Sequence, residues 1–211
     1  IALNILDLQD NQLNALDVSN NTGLLQLALN NNQLASLDVS SNAALIGLYC
    51  AANHLTNLDL SNNAALSGLV VNNNQLTSLD LSHNSSLTQL ACNDNNLSSL
   101  NLASGNSGAY TYITAQNNSN LTCIQVDDAD FSNTNWTGSN FQFDSWASFN
   151  ENCGLGTENF EENEIIMYPN PANGFVKLDN LPQNSWVKIS DFSGKIIYKQ
   201  FTDGEVTIST K

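Results

Sequence analysis

Residues 53–74, NHLTNLDLSNNAALSGLVVNNN, contain the same pattern twice. The first copy is L-x-x-L-x-L-x-x-N at residues 55–63, and the second is L-x-x-L-x-V-x-x-N at residues 66–74. Successive residues of an extended segment point to opposite faces, so the two leucines of L-x-L point one way and the residue between them points the other. The stretch therefore predicts two short strands, one on each side of a slab filled with leucine.

This pattern recurs along the chain with a period of 21 residues. Copies of the phrase NHLTNLDLS occupy residues 11–19, 32–40, 53–61, 74–82 and, more loosely, 95–103. A strand of about three residues is too short to be stable alone, so each unit has to stack on the next. Burying each leucine or valine contributes roughly 1.5–3 kcal/mol to that stack. We therefore predict a mainly β fold, a solenoid of 21-residue coils over residues 1–126.

Asparagine is unusually frequent, with 36 of the 211 residues. It suits the interiors of helices and strands poorly, but in turns it tolerates left-handed backbone and bonds nearby amides. Two asparagine columns fall where the predicted strands turn, one at residues 11, 32, 53, 74 and 95 and the other at residues 21, 42, 63 and 84. We expect their side-chain amides to satisfy backbone groups of neighbouring coils, which is a structural role.

With these nested L-x-x-L-x-L halves, residues 1–126 resemble the bacterial leucine-rich repeats of the IRREKO class. The resemblance implies a solenoid that presents a binding surface and has no catalytic role of its own. An enzyme with a carboxylate pair is the alternative, but a repeated column has no cleft and nothing to push two pKa values apart. We therefore predict that the protein is not an enzyme.

The leucine columns decay after Leu102, and residues 127–153 bring six aromatic side chains. An open solenoid end exposes leucines, and aromatic rings are large enough to cover them, so we predict a C-terminal cap there. Residues 120–127 and the end of this segment also resemble closing segments of leucine-rich arrays in secreted proteins of flavobacterial type. That resemblance implies a Cys123–Cys153 disulfide, and closing its loop of about 30 residues would contribute roughly 3–4 kcal/mol.

The other two cysteines, Cys50 and Cys92, share one inward column but lie two coils apart. Coils that stack at about 4.8 Å would hold their sulfur atoms nearly 10 Å apart, which no disulfide spans. We expect both to be small buried hydrophobic groups. No C-x-x-C spacing occurs, so we predict no metal centre built from cysteine and no resident cofactor.

Charge divides the chain into two parts. Five Lys, no Arg and 20 acidic residues give a net charge of −15. Residues 1–165 hold 16 acidic groups and neither Lys nor Arg, whereas residues 166–211 hold five Lys and four acidic groups. This asymmetry predicts two units, and it excludes nucleic-acid binding by the first, because nothing there can neutralise phosphates. No run of about 18 apolar residues occurs, so we predict no transmembrane helix.

The second part begins after an acidic stretch poor in apolar side chains, residues 154–164, which we interpret as a linker. Beyond it, short strands are predicted at residues 175–178, 186–189 and 196–199, with a hairpin connection at residues 191–195. Short apolar runs bounded by turn residues are typical of antiparallel sheets. We therefore predict a small β-sandwich over residues 165–211.

Two motifs in this segment indicate its resemblance to a known family. They are Tyr168-Pro169-Asn170-Pro171 and the set Asp191, Gly194 and Lys195. With them, residues 165–211 resemble the type A C-terminal sorting domain of the type IX secretion system of Bacteroidetes. The resemblance implies contact with that secretion machinery and a location in the medium or on the outer-membrane surface. Members usually end with one further strand, and no signal peptide is visible, so we expect an incomplete sorting domain and a sequence cut at both ends.

A column of aspartates points outward between two inward leucines, and stacked carboxylates near 5 Å apart repel one another. The column comprises Asp17, Asp38, Asp59 and Asp80, with Asp7 as a possible companion in the other half of the unit. One explanation is turn bonding to the serines two residues on, with the charges in solvent. Ca²⁺ bridging the carboxylates is a second explanation. A surface for a basic or sugar partner is the third.

The opposite outward column is uncharged and partly apolar. It comprises Ala28, Tyr49, Val70 and Ala91, and it is flanked by Gln26 and Gln89. An exposed apolar strip beside polar turns is typical of a surface where a partner docks, and Tyr49 is its leading candidate.

Together these features predict a secreted or cell-surface binding or adhesion module. Its rigid repeat surface would be presented to a protein or a polysaccharide, and binding to it would cost little ordering entropy. A structural spacer or stalk, or an accessory region of a larger surface enzyme, is the alternative.

Overall fold

A computed structural model describes residues 3–153, 166–168, 175–179, 185–190, 196–202 and 206–209. The chain divides into two compact units, Ile1–Leu155 and Gly156–Lys211. The division falls inside residues 154–164, where the linker is predicted, although the linker itself lies outside the described residues. Within the described residues no helix is both long and apolar enough to cross a membrane.

The first unit is a solenoid whose larger sheet, sheet A, contains seven parallel strands. In spatial order they are β1 (Ile5–Asp7), β2 (Gln26–Ala28), β3 (Gly47–Tyr49), β4 (Gly68–Val70), β6 (Gln89–Ala91), β8 (Tyr112–Thr114) and β10 (Phe141–Gln142). Leu27 pairs with Leu48, and Leu48 pairs with Leu69, so neighbouring strands are offset by one full repeat of 21 residues. This register confirms the predicted coil.

The other side of the slab carries sheet B, with four parallel strands. They are β5 (Ser78–Asp80), β7 (Ser99–Asn101), β9 (Cys123–Gln125) and β11 (Ser148–Asn150). The prediction of a strand on this side of every coil is wrong for the segments at Asp17, Asp38 and Asp59, which have no ladder. Those coils are joined at the preceding corner instead, for example by the bond from the Gln33 N–H to the Leu13 carbonyl (2.8 Å).

Leucine fills the space between the sheets, as predicted. Columns such as Leu27, Leu48, Leu69 and Leu90 are fully buried and belong to one continuous core. Cys50 and Cys92 are buried, unpaired members of this core, as expected.

Buried asparagines tie the coils together at one corner. The Asn95 amide donates to the carbonyls of Val71 (3.0 Å) and Cys92 (3.2 Å), and its Oδ1 accepts from the Leu76 N–H (3.0 Å). The same set of bonds recurs at Asn32, Asn53, Asn74 and Asn118. One side chain therefore satisfies backbone groups of several coils that water cannot reach, which confirms the predicted structural role.

A column of left-handed residues turns the chain just before these asparagines. Its members, with φ between 53° and 60°, are Asp10, Asn31, Ala52, Asn73, Asp94 and Asn117. Asparagine and aspartate tolerate this backbone, whereas alanine at position 52 is strained by its Cβ atom. Side chains also bond along the column, as from Asn31 Nδ2 to Asp10 Oδ1 (2.7 Å).

A cap closes the C-terminal end, around the ring of Trp136. The rings of Tyr110 and Phe149 meet it edge-on with centroids at 5.5 Å, and Phe141 and Phe143 stack near it. This cluster covers the end of the leucine core as predicted. Trp146 is the exception, because it is exposed.

The cap also contains a helix that the sequence did not predict. Helix α1 (Ala129–Asn135) follows Asp128, whose side chain accepts from the Phe131 N–H. The Cys123–Cys153 disulfide joins the cap to β9, as the resemblance implied.

One carboxylate of the cap takes the place of the backbone carbonyls that a following coil provides elsewhere in the solenoid. In earlier coils the N–H groups of Asn31 and Asn32 donate to carbonyls of the following coil. At the last coil the N–H groups of Asn117 and Asn118 donate to Asp144 instead, at 3.0 and 2.9 Å. Asp144 therefore ends the array without leaving these donors unsatisfied.

The second unit is antiparallel. Strands β12 (Ile166–Tyr168), β13 (Phe175–Asp179) and β16 (Val206–Ser209) form one sheet, and β14 (Ser185–Ser190) pairs with β15 (Ile196–Thr202). The three predicted strands are confirmed, while β16 was not predicted. Val187 packs with Val206 and Ile208, so the two sheets share a core, as expected of a sandwich. Tyr168 ends β12, whereas Pro169, Asn170, Pro171, Asp191 and Gly194 lie outside the described residues.

Candidate functional site

The outward column of sheet A is the surface that the sequence singled out. Register places Asp7, Ala28, Tyr49, Val70 and Ala91 side by side on consecutive strands. Asp7 therefore stands at the start of this column, on the opposite side of the slab from the repeated aspartates. A carboxylate, an aromatic ring and aliphatic groups share one face.

Ala91 does not contribute to that face, and its prediction as an outward binding residue is wrong. Its exposed fraction is 6%, whereas Ala28, Tyr49 and Val70 are half-buried. Register places Ala91 between Val70 and Thr114 on the adjacent strands, and Thr114 is buried as well.

Tyr49 lies across the sheet instead of standing away from it. A Cβ atom added at Gly47 would lie 3.0 Å from the Cε2 atom and 3.0 Å from the hydroxyl oxygen of Tyr49. A Cβ atom at Gly68, on the next strand, would lie 3.7 Å from the same oxygen. The two glycines therefore make room for the ring to lie close to the backbone, where it forms a flat aromatic platform.

An open depression of about 340 Å³ lies beside this platform. Its lining consists of Ile5, Leu6, Asp7, Gln9, Gln26, Ala28, Asn30 and Tyr49. The lining combines apolar groups, side-chain amides and one carboxylate, which is the composition of a site that binds through contact area and a few placed polar groups.

A chain of hydrogen bonds across three coils fixes the polar side of the depression. The Ala51 N–H donates to Asn30 Oδ1 (2.7 Å), and Asn30 Nδ2 donates to Gln9 Oε1 (2.7 Å). Gln9 Nε2 then donates to both oxygens of Asp7, at 3.1 and 3.2 Å, and the Gln9 N–H adds a third bond at 3.1 Å. Asp7 is therefore held in one orientation by neutral donors.

The sequence did not identify Gln9 and Asn30 as members of a site. The signal was present, because the two residues lie 21 positions apart and so occupy equivalent places in neighbouring coils. Gln9 and Asn30 both fall outside the repeated phrase, so the repeat did not draw attention to them.

The four repeated aspartates are exposed on the other side of the slab, away from the depression. Oδ1 of each one accepts from the backbone N–H of the serine two residues on, at 2.9–3.0 Å. The Ser19 hydroxyl and then its N–H lower the pKa of Asp17, and Ser40 acts likewise on Asp38. For Asp59 the N–H of Ser61 is the larger cause and its hydroxyl the second. The expected turn bonding is therefore present.

Metal binding has no prepared site in the described part of the chain. No group of three or more His, Cys, Asp or Glu side chains there is placed to hold an ion. Ca²⁺ bridging by the aspartate column stays an untested prediction. Burial raises the pKa of the Cys50 and Cys92 thiols to about 12, so neither is a thiolate at neutral pH.

Residues 166–211 match the family of secretion system C-terminal sorting domains. This is the type IX sorting domain that the motif at Tyr168 indicated, and it places the protein outside the cell, secreted or on the cell surface. The sorting domain also implies interaction with the secretion machinery.

Three solved structures of bacterial proteins are similar to this chain. The functional domain of InlJ from Listeria monocytogenes, which includes a cysteine ladder, is 29% identical with a TM-score of 0.54; the match covers 62% of this chain and 32% of that one. The internalin InlF from Listeria monocytogenes is 20% identical (TM-score 0.45; 56% and 38% covered). A leucine-rich-repeat protein from Leptospira interrogans is 22% identical (TM-score 0.45; 59% and 37% covered).

The chain thus spans about a third of the length of these solved chains. No curated protein matches it in sequence. A solenoid similar to InlJ together with a sorting domain favours an exported binding or structural protein over an enzyme.

Proposed function

We propose that this protein is an exported binding module without catalytic activity, and that its ligand docks on the outer face of sheet A around Tyr49. The observation that carries the proposal is the depression beside the Tyr49 platform, where an oriented carboxylate and several amides border apolar groups. Such a combination gives both contact area and specificity.

The site is built before any ligand arrives. Tyr49 lies over glycine backbone, and Asp7 is held by Gln9 of the same coil. Gln9 in turn accepts from Asn30 on the next coil, and Asn30 accepts from the Ala51 N–H on the coil after that. The buried asparagines at positions 32, 53, 74, 95 and 118, here called the asparagine ladder, hold those coils together. A partner that docks there orders few additional groups, so most of the contact energy is retained as affinity.

The exposed carboxylates support binding better than catalysis. Asp17, Asp38 and Asp59 have lowered pKa values and stand in solvent, so they stay ionised and cannot supply the raised-pKa acid that glycoside hydrolysis requires.

A binding assay with matched tyrosine variants tests the proposal. The fluorescently labelled full chain is applied to arrays of polysaccharides and of surface proteins from host and neighbouring cells. Tyr49→Ala is expected to weaken the best interaction at least about tenfold, a loss near 1.4 kcal/mol. Tyr112→Ala, which removes an exposed tyrosine farther along sheet A, is the control and should have little effect.

Circular dichroism melts establish that both variants are folded. Equal binding by wild type and Tyr49→Ala would contradict the assignment of the site. Retention of no array component would contradict the binding function and favour a structural spacer.

A further inference from the structure

We infer that the depression on sheet A receives a cationic side chain, an arginine or lysine of a protein partner, whose head group bonds the Asp7 carboxylate. This inference rests on the proposed function and names its ligand class.

Charge is the first argument. Residues 3–153 contain 12 acidic groups and neither Lys nor Arg. A surface with one sign of charge attracts cations over long distances and repels anionic ligands such as acidic polysaccharides. The field alone therefore selects a basic partner over an acidic one, and it gives no advantage to an uncharged one.

The local contacts of Asp7 are the second argument. All three of its hydrogen bonds come from Gln9, through the side-chain amide and the backbone N–H, and these donors are neutral. A carboxylate has about four acceptor sites, so capacity is left for a donor from outside. Since no Lys or Arg occurs in residues 3–153, a Lys or Arg donor has to come from outside these residues.

The aromatic platform is the third argument. Tyr49 lines the same depression as Asp7, and Gly47 allows its ring to lie along the sheet. Aromatic rings attract both guanidinium and ammonium groups, so Tyr49 makes the depression more favourable for a basic partner segment. The amides of Gln26 and Asn30 add acceptors at the border.

The repeated aspartates provide an internal control. Asp38 carries the same charge as Asp7 and contributes to the same field, but it is exposed on the other side of the slab and does not line the depression. Replacing either one with asparagine changes the net charge equally. A difference in binding between the two variants therefore reports the local contacts of Asp7, whereas equal losses report the overall charge.

Nuclear magnetic resonance titration of the full chain tests the inference. The probes are N-acetyl-arginine amide and its uncharged analogue N-acetyl-citrulline amide, and the signals followed are the side-chain amides of Gln9 and Asn30. We expect saturable shifts with the arginine probe and at least tenfold weaker binding of the citrulline probe. Asp7→Asn should weaken arginine binding at least tenfold, whereas Asp38→Asn should change it less than twofold.

Three results would overturn the inference: equal effects of Asp7→Asn and Asp38→Asn, equal binding of the two probes, or no shift with either. The arginine probe is also added to the array assay as a competitor. If Tyr49→Ala abolishes array binding but Asp7→Asn and the competitor leave it unchanged, this inference fails while the proposed function stands. If array binding ignores every change on sheet A, the proposed function fails.

Discussion

The two outward columns of the solenoid differ in a way that separates structure from function. On one side, Asp17, Asp38, Asp59 and Asp80 repeat the same residue, and each makes the same bond to the backbone two residues on. On the other side, Asp7, Ala28, Tyr49 and Val70 occupy equivalent positions with four different side chains. A residue that repeats in every coil meets a structural requirement that all coils share. A column whose residues differ from coil to coil can form a specific site at one place, and here that column borders the depression.

The strongest test of this contrast is the repeated asparagine at position 95. Asn95→Ala leaves the buried Leu76 N–H without its partner. It also removes one of the two asparagine donors at each of the Val71 and Cys92 carbonyls, which keep their bonds from Asn74 and Asn118. We expect a loss of about 3 kcal/mol in the free energy of unfolding, since one unsatisfied buried donor costs about 1–3 kcal/mol and each lost hydrogen bond to a carbonyl adds about 0.5–1.5 kcal/mol. Urea denaturation measures it. Asn96→Ala, at an exposed neighbour, is the control and should cost under about 0.5 kcal/mol.

The cap tests whether a carboxylate can replace a coil. Asp144→Ala removes the acceptors of the Asn117 and Asn118 N–H groups. We expect a loss of about 2 kcal/mol, because two backbone donors at the end of the array lose their partner. Thermal denaturation should show a lower midpoint for this variant. An equal loss in Asp130→Ala, an exposed aspartate on α1, would contradict a specific role for Asp144.

Ala52 stands in the column of left-handed residues where the other members are asparagine or aspartate, so replacing it with asparagine tests why that residue type repeats. Its φ of 53° suits asparagine, and Asn31 and Asn73 occupy the equivalent positions in the adjacent coils. Ala52→Asn should raise the free energy of unfolding by about 1 kcal/mol through relief of left-handed strain. Ala65→Asn, in an exposed turn without positive φ, should give no gain. Equal midpoints for Ala52→Asn and wild type would refute the strain argument.

The smallest expected effect concerns the pH dependence of the repeated aspartates. Because serine bonds lower the pKa values of Asp17, Asp38 and Asp59 below 3.8, these groups stabilise the fold above that pH. The stabilisation is lost as the pH falls through the lower folded-state values. A triple Asp→Asn variant should therefore lose slightly less stability than wild type between about pH 5 and pH 2 in urea titrations. An identical acid loss in both proteins would exclude this contribution.

Periodicity explains how much of the molecule could be predicted. The leucine core, the asparagine ladder and the coil length are imposed on every repeat, so the sequence shows them several times over. The bond network from Ala51 through Asn30 and Gln9 to Asp7 links particular side chains of three coils, and its only trace in the sequence is the spacing of 21 residues between Gln9 and Asn30. The burial of Ala91 is a property of the assembled sheet, because its position in the repeat is the same as that of the half-buried Ala28. Helix α1 is built from weak helix formers and depends on its Asp128 cap, so local propensity did not reveal it.

The repeated residues hold the fold, and the varied face around Tyr49 is proposed to bind the partner. A paired measurement of unfolding free energy and ligand affinity on Asn95→Ala and Tyr49→Ala tests this division of roles most directly. We predict that Asn95→Ala loses stability but keeps its affinity at a temperature where it is folded, and that Tyr49→Ala loses affinity but keeps most of its stability. Unchanged affinity of Tyr49→Ala, together with a large loss in its free energy of unfolding, would contradict this division of roles.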